Sequence, residues 1–193
     1  MLKYRPFEMH CHTRHSDGTF LVPQLIESVA AYGYAGLALT DHNAVTGLLE
    51  VTEELQRKNN CLVLPGIEWT TFYGHLLVIG CDRFVDWRFV TPDTIDEALQ
   101  EIRAAGGIAG VAHPCEVGSP LMCGCNWEFR VKRWDLMDYV EIWSGPDPHA
   151  SAKNGLAMPW YDALLNQGYH LAISAGRDWH GPDKPGQIPL LTA

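Results

Sequence analysis

A chain of 193 residues with 47% hydrophobic content can bury one sizeable core, and its length predicts a single domain over 1–193. Twenty-three acidic against fourteen basic residues leave a net charge of -9, which offers no basic track for a backbone and argues against long nucleic acid as a partner. The opening has no apolar stretch of signal-peptide length and no run approaches the roughly 18 apolar residues of a membrane span, so the expectation is a cytoplasmic protein without a membrane partner.

Along the chain, short runs rich in valine, leucine and isoleucine alternate with helical patterns. "FEMHCH" at 7–12 reads as a strand, and "PQLIESVAAYGY" at 23–34 as a helix with Pro23 near its first turn. "GLALTDH" at 36–42 is a second strand, followed by a helical pattern, "TGLLEVTEELQRK", at 46–58. "CLVLPGIEW" at 61–69 and "GHLLVIG" at 74–80 are strands, and 94–107 is a helix that opens on Thr and Asp and closes on glycines. Strands at 108–114 and 139–143, a helix at 160–169 ending on Gly168, and a strand at 171–180 complete the series.

About seven strands in β-α alternation build either an open doubly wound sheet or a closed barrel. The polar residues help to decide between them. His10 with His12, Asp41 with His42, Glu68, His113, and Asp178 with His180 all lie where an apolar run stops. In a barrel the strand C-termini converge on one face and would bring these side chains into one pocket, whereas an open sheet would spread them apart. His10 and His12, two apart on a strand, point to one face and Cys11 to the other. Asp178 and His180 repeat the spacing. Neutral imidazoles and carboxylates in such pairs are the donors divalent metals need, since each offers a lone pair at pH 7. Six cysteines in a chain of this size, without a secretory signal, read as reduced thiols, and the spacing of Cys115, Cys123 and Cys125 matches no strong zinc pattern.

"HCHTRHSDG", "LTDHNAVTG", "PGIEWTTFYGHLLVIG", "VAHP" and "SAGRDWHG" resemble, in their usual order, the motifs of the PHP (polymerase and histidinol phosphatase) superfamily. "VEIWSG" with Asn154, Trp160 and "LLNQG" is similar to its CehA/McbA-type branch. The resemblance implies a distorted (β/α)7 TIM-like barrel with three metal positions at the strand C-termini. His10, His12, Glu68 and Asp178 would form the first; Glu68, His75 and His113 the second; Asp17, His42 and His180 the third, with Glu68 bridging the first two. A nitrogen and oxygen donor set without thiolate suits two to three divalent transition metals, Mn, Fe or Zn.

On that basis the expected activity is a metal-dependent phosphoesterase that cleaves a small phosphomonoester or nucleotide with a metal-bridged hydroxide. The alternatives are a carboxyl ester, amide or carbamate metallohydrolase and a non-catalytic metal-binding module. Glu68 and Asp178 are the catalytic candidates among the ligands, and His15 is the candidate proton donor. Arg14 and His15, in the loop between two ligand sets, are placed to meet a phosphate. Arg177 is kept as a third substrate-binding candidate, although strand alternation aims it away from the metals and favours an ion-pair role. Trp69 and Trp179, which flank ligands, are candidates for a pocket wall. The short stretch between His113 and Glu141 leaves little chain for a cap, so the site should be open. The tail is expected to add a short strand at 188–192. The sequence sets no oligomeric state.

Overall fold

The computed structural model of the chain describes residues 5–117, 125–146 and 151–184. Seven strands form one sheet in sequence order: β1 (Phe7–Glu8), β2 (Gly36–Leu39), β3 (Leu62–Thr71), β4 (Gly74–Ile79), β5 (Ile108–Ala112), β6 (Tyr139–Ser144) and β7 (Ala172–Gly176). The sheet curls into a nearly closed barrel. Beyond the ends of β1 and β7, the His12 N–H donates to the Trp179 carbonyl at 2.9 Å and the Trp179 N–H to the His10 carbonyl at 3.1 Å. Four α-helices are described: α1 (Val22–Ala31), α2 (Glu53–Asn59), α3 (Ile95–Ala104) and α4 (Ala152–Asn166). The fold is thus a distorted TIM-like α/β barrel in one domain.

The distortion lies at β4, which pairs antiparallel with both β3 and β5 while the other neighbours are parallel. Phe72 and Tyr73 alone separate β3 from β4, enough for a hairpin and far short of the dozen or so residues of a parallel crossover. Two helices also differ from the sequence expectation. The pattern at 46–58 splits into a 3-10 turn (Thr46–Glu50) and α2, because the Thr52 hydroxyl accepts from the Leu55 N–H and starts a new helix. Helix α4 begins at Ala152, ahead of the expected 160, and runs through Pro159.

Side-chain alternation sorts the core. Outward-facing Ile67, Trp69, Leu76, Val78, Val111 and Val140 pack with Ile95, Leu99 and Ile102 of α3, while Leu37, Leu39 and Val63 pack with Leu25, Ile26 and Val29 of α1. Inside the barrel, Ala38, Leu77, Ile79, Ala112 and Tyr139 form a smaller apolar plug. Gly110 makes room for it: a Cβ there would stand 2.1 Å from the Tyr139 ring. Above that plug the interior becomes polar. The expected strand at 188–192 lies outside the described residues, as does Cys123; Cys115 is a free thiol. No helix among the described residues is long and apolar enough to cross a membrane.

Candidate metal centre

All nine residues expected at the strand ends meet at one mouth of the barrel. Glu68, on the inward face of β3 and fully buried, is their centre. Its Oε2 lies 3.2 Å from His10 Nε2, 3.3 Å from His12 Nε2 and 2.9 Å from His42 Nδ1, and its Oε1 lies 2.9 Å from His75 Nδ1 and 3.1 Å from His113 Nε2. Asp178 adds an oxygen 3.3 Å from His10 Nε2 and 3.1 Å from His12 Nε2. At the rim, Asp17 Oδ1 stands 3.2 Å from His180 Nε2 and 3.6 Å from His42 Nε2. His75 joins because β4 is reversed: its first residues lie beside the last residues of β3, and Thr70 pairs with His75.

The geometry fits metal ions. Buried polar atoms are nearly always hydrogen-bonded, yet His10 Nε2, Glu68 Oε2, His75 Nε2 and His113 Nδ1 have no aligned partner. Three imidazole nitrogens converge on one carboxylate oxygen without bonding to it, which leaves lone pairs aimed at a common space. Donor atoms within 4.8 Å of one another fall into His10–His12–Glu68–Asp178, His12–Asp17–His42–His180, His42–Glu68–His75 and His113–Glu116–Asp178. The first set coincides with the sequence expectation and the second adds His12 to the expected trio. The expected Glu68–His75–His113 set is divided between the last two, and Glu116 is new.

A second layer holds these ligands in place. Glu141, buried on β6, accepts from His10 Nδ1 at 3.0 Å and from the His113 backbone N–H at 3.1 Å, which turns His10 Nε2 toward the cluster. Gly176 makes that carboxylate possible, since a Cβ there would lie 2.3 Å from Glu141 Oε1. Buried Glu8 accepts the backbone N–H groups of His10 and Arg177 at 3.0 Å, and burial pushes its pKa up to about 7. Asp41 accepts from Thr13 and Ser16 and so pins the loop that carries Asp17. Asn43, at φ 51°, exchanges hydrogen bonds of 2.9 Å with the Thr70 backbone and fixes His42 against β3. Neither Glu8 nor Glu141 belongs to the ligand motifs. For Glu141 the signal available was a single carboxylate inside an otherwise largely apolar strand.

The three substrate-binding candidates each have a partner within the protein. Arg14 is exposed and its Nε–H is spent on the Thr19 carbonyl at 3.2 Å. The His15 ring lies between Thr46 Oγ1 at 2.9 Å and Glu50 Oε1 at 2.8 Å. Arg177 is wholly buried, paired with Asp183 and covered by the Trp179 ring at 4.1 Å and the Tyr32 ring at 5.3 Å. Trp69 and Trp179 belong to the outer core. The cavity over the cluster, about 640 Å³, is instead lined by Ser16, Asp17, Thr70, Phe72, Trp87 and Arg88 along with ligands His42 and His75. No basic group marked in the sequence reaches it. Arg88, which does, is held bidentately by Asp86 at 2.9 and 2.7 Å.

The PHP domain family matches residues 8–110, more than half of the chain. The chain belongs to the PHP domain family. This PHP domain is 34% identical over 79 residues to the 3',5'-nucleoside bisphosphate phosphatase of Chromobacterium violaceum, covering 39% of the chain and 27% of that protein. It is 29% identical over 68 residues to the 5'-3' exoribonuclease Rnm of Escherichia coli, covering 35% of the chain and 23% of that protein. The matched PHP segment spans about a quarter of the length of these two relatives. Among solved structures, it superposes with a TM-score of 0.65 on a two-domain protein of Bacteroides vulgatus containing a predicted PHP-like metal-dependent phosphoesterase, at 18% identity over 92% of this chain and 52% of that one. It superposes with a TM-score of 0.63 on an amidohydrolase of Chromobacterium violaceum, at 18% identity over 97% of this chain and 91% of that one. At such identity these likenesses speak to the fold.

Electrostatics gives the PHP domain a measurable signature. Burial opposes a charge on His10, but Glu141, Glu68 and Asp178 outweigh it and hold its pKa well above the usual imidazole value. For His180, Asp17 and Asp178 overcome burial and raise the pKa to about 9. Without metal both rings are biased toward the protonated form, so a divalent ion binding them competes with protons. Titration of the metal-free protein with Zn or Mn at pH 7 should release protons, read as calorimetric heats that change with the ionisation enthalpy of the buffer. Buffer-independent heats would contradict the ligand assignment of these two histidines. Apparent affinity should fall as pH drops from about 9, because the competing protons are bound more completely.

Proposed function

We propose that this chain is a metal-dependent hydrolase that cleaves small phosphomonoesters, nucleotides among them. The observation that carries the reading is the buried Glu68 carboxylate with five imidazole nitrogens within 3.3 Å and its own Oε2 unbonded. Its curated relative from Chromobacterium violaceum acts on a nucleoside bisphosphate. His10, His12, Glu68 and Asp178 would hold one ion and Asp17, His42 and His180 another, and His75 and His113, whose ring nitrogens lie 2.9 and 3.1 Å from Glu68 Oε1, would hold a third with that carboxylate. Manganese, iron or zinc bound there would lower the pKa of water and polarise the ester oxygen.

The chain's own residues supply position and orientation. Glu141 fixes the ring of His10, Asp41 fixes the loop of Asp17, and the bonds of Thr70 and Asn43 fix His42. Phe72 and Trp87 give the cavity an apolar side on which the remainder of the ester can rest, and Ser16 and Thr70 give it a polar side. Phe72 is 71% exposed, so the mouth is open and recognition beyond the phosphate is loose. A net charge of -9 with no basic track makes long nucleic acid a poor substrate.

One observation favours a second reading, a hydrolase of carboxyl esters, amides or carbamates, in line with the CehA/McbA-type resemblance. The cavity holds no unpaired basic side chain among the described residues, and its apolar side would suit an uncharged carbonyl compound. The deciding measurement is kcat/KM on a phosphomonoester, a phosphodiester, a carboxyl ester and a carbamate, with the protein loaded with Mn, Fe or Zn and with chelated protein as control. The expected order places the monoester first, because a diester's blocked oxygen removes one metal contact, and chelation abolishes turnover. Preference for the carbamate or carboxyl ester would establish the second reading. Metal-loaded protein inactive on all four would leave the non-catalytic module.

A further inference from the structure

The turn after β5 carries a carboxylate that no motif assigns. His113 stands at φ 25°, a backbone conformation that side chains other than glycine rarely adopt, and the Glu116 N–H donates to its carbonyl at 3.0 Å. The closed turn folds Glu116 back onto the His113 ring, with Oε2 3.3 Å from Nδ1. His113 is only 4% exposed, and that Nδ1 is buried without an aligned hydrogen bond. An unsatisfied buried nitrogen facing a carboxylate is costly on its own. A divalent cation between them would engage the lone pair and the charge together. Asp178 lies within the same 4.8 Å group, and its φ of 48° marks a second strained residue there.

A competing cation is built into the opposite side. Lys153, in the first turn of α4, donates to the same Oε2 of Glu116 at 2.7 Å. A lysine in a first helical turn opposes the helix dipole, so its placement is explained by this pairing and not by the helix. Resting on the metal-centre reading above, we infer that Glu116 is a further ligand of the cluster, completing a set with His113 and Asp178, and that Lys153 sets how tightly this set holds a divalent cation by competing for Glu116.

The two halves of the inference predict opposite signs. Full-length wild type, Glu116→Gln and Lys153→Met are stripped of metal, checked for equal circular dichroism, and titrated with Mn and with Zn by calorimetry, with bound metal counted by elemental analysis. Glu116→Gln should lose one divalent ion or weaken the weakest site by more than about 100-fold, beyond the usual loss for a residue that merely orients a ligand. Lys153→Met should tighten that same site about tenfold, since a positive charge next to the ligand oxygen is removed. If Lys153 served to position Glu116, its loss would weaken binding, and that result, or no change in either variant, overturns the inference. Should Glu116→Gln fail to fold, Lys153→Met alone decides by the sign of its effect. A wild type that binds no divalent ion overturns the metal-centre reading itself, whereas binding by the wild type with indifferent variants overturns only this one.

Discussion

Glu68→Gln should keep its fold and lose its chemistry. The substitution preserves side-chain volume but replaces an oxygen that faces imidazole nitrogens at 2.9 to 3.3 Å with an amide that carries no charge. Bound metal should fall by at least one ion per chain, and turnover by about 100-fold or more. Acid behaviour gives an independent readout in metal-free protein. Burial alone would raise the Glu68 pKa, but His10, His113 and His42 hold it well below the usual carboxylate value. A carboxylate depressed in the folded state contributes stability above its unfolded pKa and loses it as pH falls toward the folded value. The wild type should therefore lose stability on acidification below about pH 4.5, and the glutamine variant should lose less over that range. Unchanged turnover would remove Glu68 from the mechanism, and a collapsed melting temperature with full metal content would make its role structural.

Asp183→Ala should be strongly destabilising although it lies outside the cluster. Arg177 is fully buried between the rings of Trp179 and Tyr32, its ion-pair partner is Asp183, and the Tyr32 hydroxyl bonds the other Asp183 oxygen at 2.5 Å. Removing the carboxylate leaves an uncompensated buried guanidinium, at a cost of about 3–5 kcal/mol. That is a large part of the roughly 5–15 kcal/mol available to a domain. It should appear as a lower urea midpoint with unchanged m-value. The double variant Arg177→Met with Asp183→Ala should recover much of the loss, because neither charge is then buried alone. A single variant within 1 kcal/mol of wild type would show that Arg177 finds other compensation. The pair also serves the site: Arg177 and Trp179 flank Asp178, and the Trp179 backbone closes the barrel on His10 and His12.

Most of the donors follow from local chemistry and the sequence displays them, while the ligand roles of Asp17 and His75 are what the family resemblance implies. Imidazoles and carboxylates at the ends of apolar runs mark donors whichever way the chain folds, and β-α alternation implies a barrel mouth where they meet. The position of His75 is different, because it opens an apolar run. It reaches the cluster only since a two-residue connection forces β4 to turn back on β3. The partners of Arg14 and His15 lay beyond the sequence, whereas strand alternation by itself favours an ion pair for Arg177. A basic side chain near a ligand can turn to the ions or to a protein carboxylate, and the choice depends on Glu50 and Asp183, which are distant from the ligands in sequence or placed by the turn that follows them.

By itself, then, the sequence determined the donor types, their i, i+2 pairing on strands and the alternation that calls for a barrel, because these depend on residue chemistry and backbone periodicity. The tertiary structure alone decided that Glu141 and Glu8 stand behind the ligands, that Glu116 lies between His113 and Lys153, and that Trp87, Phe72 and Arg88 form the mouth. These assignments depend on distances between elements, set by strand register, the reversed β4 and strained turns at His113 and Asp178, which no local pattern in the chain encodes.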